Sequence, residues 1–256
     1  MAFFETRSRA VRRELVTRAE LSYVSGRDPR LWADDALYDD LVASVVDQLD
    51  LGPEQTLLEV GCAAGFLAQG LAPLVARYTG LDLSAHALAV ARSLGMATAS
   101  YVQADGTRLP FRDGVFGAVV SYDVFTNLPD RAVALEMIAE MSRVVRPGGR
   151  VLVGSLADEA RRAEFTAVVE RVGRELSERC GPLPEHAATR RRWTPWLRRE
   201  PAPEPAISCY YYDREEVVTA GRRLGLEARV HEVHPRNPYL GYRFNVVYQK
   251  PAPVRP

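Results

Sequence analysis

Between residues 56 and 154, short β-branched runs alternate with Ala- and Leu-rich stretches, and no other feature of the sequence limits the fold so strongly. The runs are Thr56–Val60, Tyr78–Leu83, Ala99–Ala104, Gly117–Ser121 and Arg150–Gly154. Phe66–Ala76, Ala85–Leu94 and Asp130–Val145 lie between them with helical patterning, the last closed by Arg146-Pro147-Gly148-Gly149. Such alternation requires right-handed crossovers, and hence a parallel sheet with helices on both faces.

The flanks are simpler. Residues 8–24 and 33–50 read as two helices, the second carrying Leu37, Leu41, Val42, Val45, Val46 and Leu49 on an apolar stripe and stopped by Gly52-Pro53. After residue 157 the alternation breaks. A charged helix over Glu159–Cys180 leads into a Pro- and Arg-rich connector, 181–206, then a strand run Ile207–Tyr212 and a helix Arg214–Leu224. The last two runs, Glu227–Val233 and Tyr242–Gln249, are joined by residues 234–241, too short a link for a parallel crossover, so they pair antiparallel. The expected architecture is α/β, a doubly wound and mostly parallel seven-stranded sheet with an antiparallel last strand pair. A helical cap covers 1–50, the core 51–156, an insertion after strand five 157–212, and the rest of the sheet 213–256.

Charge excludes some partners. The 33 basic residues balance 33 acidic ones, whereas duplex nucleic acid calls for a basic surplus. No stretch approaches the roughly 18 apolar residues of a membrane span. Cys62, Cys180 and Cys209 form no C-x-x-C pair, which speaks against a disulfide framework or a thiolate metal site and for a reducing cytoplasm. The opening Met1–Arg7 has no apolar core of a secretion signal. No metal is expected.

The sharpest local signal is Leu57-Leu58-Glu59-Val60-Gly61-Cys62-Ala63-Ala64-Gly65-Phe66-Leu67-Ala68, a strand entering a small-residue turn and then a helix. Small residues there allow backbone N–H groups to approach a ligand closely. Asp82 ends the next strand, where a carboxylate accepts both hydroxyls of a ribose, and Asp105 ends the third. Dinucleotide enzymes place a third glycine five residues after the first. Here that position is Phe66, so the nicotinamide reading fails on spacing.

Over about residues 50–156 the sequence resembles the class I S-adenosylmethionine-dependent methyltransferases. Glu59-Val60-Gly61-Cys62-Ala63-Ala64-Gly65 resembles their first motif, with Ala63 in place of the middle glycine. Gly80-Leu81-Asp82-Leu83-Ser84 resembles the second, and Ala104-Asp105-Gly106 before Leu109-Pro110-Phe111 the third. Val119-Val120-Ser121-Tyr122 falls at the family's fourth strand, and Val144–Gly149 at its turn into the fifth. The resemblance implies S-adenosylmethionine as cofactor, held by Glu59, Gly61, Cys62, Ala63, Gly65, Asp82, Leu83, Asp105, Gly106 and Ser121.

It also implies that Tyr122 and Asp123, after strand four, lie near the transferred methyl group. With His231 and His234 they form the candidate set for proton transfer, each against a plainer packing or capping role. Tyr211 alternates with Tyr210 and Tyr212 and is a candidate for lining an acceptor pocket. Arg191, Arg192, Trp193 and Trp196 stand in a basic segment, 190–199, whose guanidinium groups suit an anionic acceptor, with a solvated loop as the alternative. The expected activity is methyl transfer to a small molecule, at oxygen, nitrogen or carbon. Methylation of a protein or nucleic acid, and cofactor binding without turnover, are the alternatives. The oligomeric state is left open, a homodimer among the options.

Overall fold

A computed structural model describes residues 2–11, 16–182 and 209–252 of the chain. Eight strands form one sheet: β1 (Thr56–Val60), β2 (Arg77–Asp82), β3 (Ala99–Gln103), β4 (Phe116–Tyr122), β5 (Val145–Asp158), β6 (Tyr211–Tyr212), β7 (Glu227–Glu232) and β8 (Arg243–Gln249). Their order in space is β3-β2-β1-β4-β5-β8-β7, with β6 pairing beside the end of β5. All pairings are parallel except those of β8 with β5 and with β7. The seven-stranded expectation therefore holds along the main path, and the two-residue β6 is the addition. Strand order reverses between β1 and β4, the position at which open α/β sheets leave a crevice beyond their carboxyl ends.

The helices are α1 (Ala2–Ala10), α2 (Arg18–Val24), α3 (Asp35–Leu49), α4 (Ala68–Leu71), α5 (Ala85–Ser93), α6 (Arg131–Val144), α7 (Arg162–Cys180) and α8 (Arg214–Arg223). Side chains alternate across the sheet and divide the core in two. Leu57, Ala118, Val120 and Leu152 pack with apolar residues of α3, α5 and α7. Leu58, Val60, Val119, Val151 and Val153 pack with those of α6 and α8. Every residue of β4 is buried, because both of its faces are covered.

Side-chain caps begin most helices. Asp34, Ser84, Asp130 and Asp213 accept from backbone N–H groups in the first turns of α3, α5, α6 and α8. Thr17 and Glu20 form a reciprocal capping box, so the single helix expected over 8–24 is two, with α2 starting afresh at Thr17. The helix expected over Phe66–Ala76 shortens to one turn followed by a 3-10 turn at Ala72–Leu74, where Pro73 has no N–H to continue the ladder.

Lys250 is the protein's one lysine. Its Nζ donates to the carbonyls of Ser142 (2.8 Å) and Val145 (3.0 Å) at the end of α6, the orphan acceptors of a helix C-terminus. A compact ammonium with three donors suits that converging set better than a planar guanidinium. Lys250→Met is expected to cost about 1–3 kcal/mol of stability. Urea unfolding checks this, and an unchanged midpoint would refute the capping role.

Candidate active site

The carboxyl ends of β1, β2 and β4 open into a cleft of about 470 Å3, lined among others by Gly61, Ala63, Asp82, Leu83, Asp105, Gly106, Tyr122 and Asp123. Its floor begins at the turn after β1. Gly61 has φ +83°, and a Cβ there would stand 2.3 Å from Val124 Cγ2, so only glycine fits. Ala63 follows at φ +45°, a left-handed conformation that an L-residue adopts only under constraint. The constraint is Asp82. Its Oδ2 accepts the Ala63 N–H at 2.9 Å and its Oδ1 the Ser84 N–H at 2.8 Å. Burial pushes the Asp82 carboxyl above its usual range, with the Ser84 and Ala63 N–H groups pulling the other way. Each oxygen keeps acceptor capacity toward the cleft. Asp105 is steadied through Oδ1 by the N–H and hydroxyl of Thr107, both at 2.9 Å. Gly106 lies against α6, where a Cβ would meet Met137 Cε at 2.8 Å.

The sequence pattern named further residues that the fold keeps away from the cleft. Glu59 is 3% exposed and does not line it. Its Oε2 accepts a hydrogen bond from the Tyr78 hydroxyl, and burial pushes its carboxyl up to about 7, against the opposing effects of Tyr78 and Arg27. Cys62 is buried behind the turn, and Gly65 (φ +85°) shapes the turn without reaching the cleft lining. Ser121 is fully buried, its hydroxyl without a partner. Glu59 and Ser121 each lie one residue short of their strand's end, below the cleft-lining Val60 and Tyr122, and are covered by packing.

The four candidates for proton transfer separate in the same way. Tyr122 and Asp123 line the cleft. His231 is on β7, the far edge of the sheet, beside a separate pocket of about 110 Å3 with Gln48 and Arg150. His234 is 6% exposed, burial lowers its basicity, and it lies outside the cleft lining. Asp123 is not free to take a proton. Its Oδ2 accepts from Arg27 Nε at 2.7 Å and its Oδ1 from Arg243 Nη1 at 2.9 Å. Burial opposes its charge, yet the two guanidinium groups hold its carboxyl below the usual range.

Tyr210 and Tyr212 share a side, their rings 5.0 Å apart, and Tyr211 points to the other, as alternation predicts. Tyr211 packs on Phe165 at 5.8 Å under the Arg162 guanidinium and does not line the cleft. Arg191, Arg192, Trp193 and Trp196 lie outside the described residues. Residues that no motif announced also line the cleft: Ser25 and Arg27 from the turn after α2, and Val133 and Glu136 of α6. Arg27 lies about a hundred residues from its partner Asp123, in a chain rich in arginine, and no local signal distinguishes it.

Residues 58–153 match the methyltransferase domain family. Curated relatives include a ubiquinone biosynthesis O-methyltransferase of Sodalis glossinidius, 31% identical over 140 residues and 53% of each chain. The methyltransferase GfsG of Streptomyces halstedii is 32% identical over 158 residues and 54% of each chain. The chain spans about half the length of these relatives. Among solved structures, a chain from the complex of the Haloferax volcanii Trm112 methyltransferase activator with a putative methyltransferase superposes with a TM-score of 0.62, at 16% identity over 92% of this chain and all of that one. The [4+2]-cyclase SpnF superposes with a TM-score of 0.57, at 17% identity over 84% of this chain and 82% of that one. At such identities these structures speak to the fold alone. Residues 58–153 thus match a methyltransferase domain, and the fold around them is shared with solved structures that include an S-adenosylmethionine-dependent methyltransferase of Methanosarcina mazei.

Among the described residues, no helix is long and apolar enough to cross a membrane.

The buried Glu59 carboxyl makes stability depend on pH. Its pKa in the folded protein, about 7, is above the ordinary 4.5, so between those values the folded state binds more protons than the unfolded one. Stability is then highest below about pH 4.5 as far as this group is concerned, and is lost as pH rises through about 7. Glu59→Gln is expected to remove a pH-dependent loss of about 1–3 kcal/mol across that window. Parallel pH profiles of the two unfolding midpoints would refute it.

Proposed function

We propose that this protein transfers a methyl group from S-adenosylmethionine to a hydroxyl of a small organic acceptor. The observation that carries the reading is the junction at the sheet's crevice, where the Asp82 carboxylate grips the strained turn at Ala63 and still faces the cleft. The donor set fits the cofactor. Asp82 suits the ribose hydroxyls, Leu83 and Asp105 the adenine, and the Cβ-free floor at Gly61 a closely approaching chain. Arg27, the cleft-lining guanidinium, suits the carboxylate at the methionine end.

S-adenosylmethionine supplies a methyl group already activated by its sulfonium. The chain therefore contributes mainly position: an acceptor held in line and close converts a bimolecular step into an intramolecular one. Tyr122 walls the β4 side of the cleft, and Asp123 works as a fixed anion that orients two arginines. Preference for oxygen draws on the relatives named as O-methyltransferases, from ubiquinone biosynthesis and a chloroplastic tocopherol enzyme of Arabidopsis thaliana.

Asp82→Ala is expected to weaken binding of S-adenosylmethionine and of its demethylated product by about 2–4 kcal/mol, through two lost charge-assisted hydrogen bonds. Titration calorimetry measures this. Wild-type protein that gives no heat and no thermal shift with either compound overturns the reading.

A further inference from the structure

Helices α6 and α8 pack into the same core layer on one face of the sheet, and a surface groove of about 470 Å3 runs between them. Its floor is apolar, made by Leu135, Ile138, Ala220 and Leu224, the last 43% exposed. At one end Arg131 of α6 pairs with Glu216 of α8. Both residues stand in the first turn of their helices, so the two N-termini share that end of the groove. The groove has no lining residue in common with the cleft at the sheet's crevice.

The charges of α8 are ordered along that groove. Glu215, Thr219 and Arg223 all line it, each four residues from the next and so on one face of the helix. Glu215 and Arg223 are exposed, and neither forms an ion pair among the described residues. At a rise of about 1.5 Å per residue they lie about 12 Å apart, equally far before and after Thr219. A two-fold axis at Thr219 therefore sets each glutamate against the arginine of a second α8 running antiparallel. Glu216 and Arg222 fall at mirrored positions in the same way. Thr219 and Ala220, at the crossing, are small enough to let two helices approach closely.

We propose that this face is the interface of a homodimer, in which α8 of each copy lies antiparallel to the other over the α6–α8 groove. A second copy is the partner that fits, because a two-fold interface has to be complementary to itself. A face with an acid at one end, a base at the other and an apolar middle meets that condition. Burial of the groove floor and of Leu224 supplies the attraction. The crossed pairs at the solvated rim add little affinity and instead fix the orientation, since a parallel crossing sets glutamate on glutamate and arginine on arginine. The same order of charges also suits the dipole of α8 itself. Exchanging charges between two chains separates the two effects.

Sedimentation equilibrium of the full-length chain measures the dimer, whatever reaction the protein performs. Wild type is expected to dimerise. Arg223→Glu and Glu215→Arg each set like charges opposite one another and should raise the dissociation constant about tenfold or more. Mixed in equal amounts, these two variants should associate with each other about as tightly as wild type with itself, because every acid again meets a base. A change acting only through the helix dipole or through folding gives no such recovery. Thr219→Arg, which brings two cations together at the axis, should also prevent association, and it carries the test if circular dichroism shows either charge variant unfolded. Wild type that stays monomeric at every concentration, folded variants that dimerise as wild type does, or a mixture that fails to associate overturns the inference.

Discussion

The bond from the Ala63 N–H to Asp82 is the join on which the rest of the site depends. It ties the turn after β1 to the end of β2, two strand ends that the parallel register already sets side by side through Val60 and Leu81. Without it the left-handed Ala63 would relax, and the floor made possible by Gly61 would lose its shape. The same carboxylate caps the path into α5 through Ser84, whose hydroxyl accepts from Ala87 N. One side chain thus sets the turn, the neighbouring helix start and the polar face of the cleft.

A second centre, around Asp123, has a different economy of forces. Removing two guanidinium groups and a carboxylate from water costs several kcal/mol, and ion pairs in such places rarely return more than that. Their value is in specifying geometry. The N-terminal turn with Arg27, the end of β4 and the start of β8 meet at this carboxylate, joining segments 95 residues and more apart along the chain. Phe66 adds to the arrangement, since its ring lies 4.4 Å from the Arg27 guanidinium and packs edge-on against Trp32 and Tyr38. The bulk that departs from a dinucleotide fingerprint is thus the surface on which the N-terminal cap sits.

Most of the sheet was legible because its causes are local. β-branched runs with both faces covered and small residues at one turn leave their marks within a few residues. Asp82, Asp105 and Gly106 could be placed for the same reason: each ends a strand whose direction and neighbours follow from the alternation. Motif membership was a weaker guide. Glu59, Cys62, Gly65 and Ser121 belong to the same motifs as the cleft residues, yet their depth in the strands and the turn's path leave them in the packing. His231 and His234 sat near a strand end, but their strand lies at the sheet's far edge.

The sequence by itself determined the class of fold, the direction of its strands and the rim at which the cleft opens, since these follow from hydrophobic period and turn chemistry. Tertiary structure decided which polar groups face that rim together. Arg27 and Arg243 carry no local signature, and their roles exist only because three distant segments converge on Asp123. It also decided that Asp123 is a bound counter-ion and not a base, because the state of a carboxylate is set by the charges brought against it, and those are supplied by the fold.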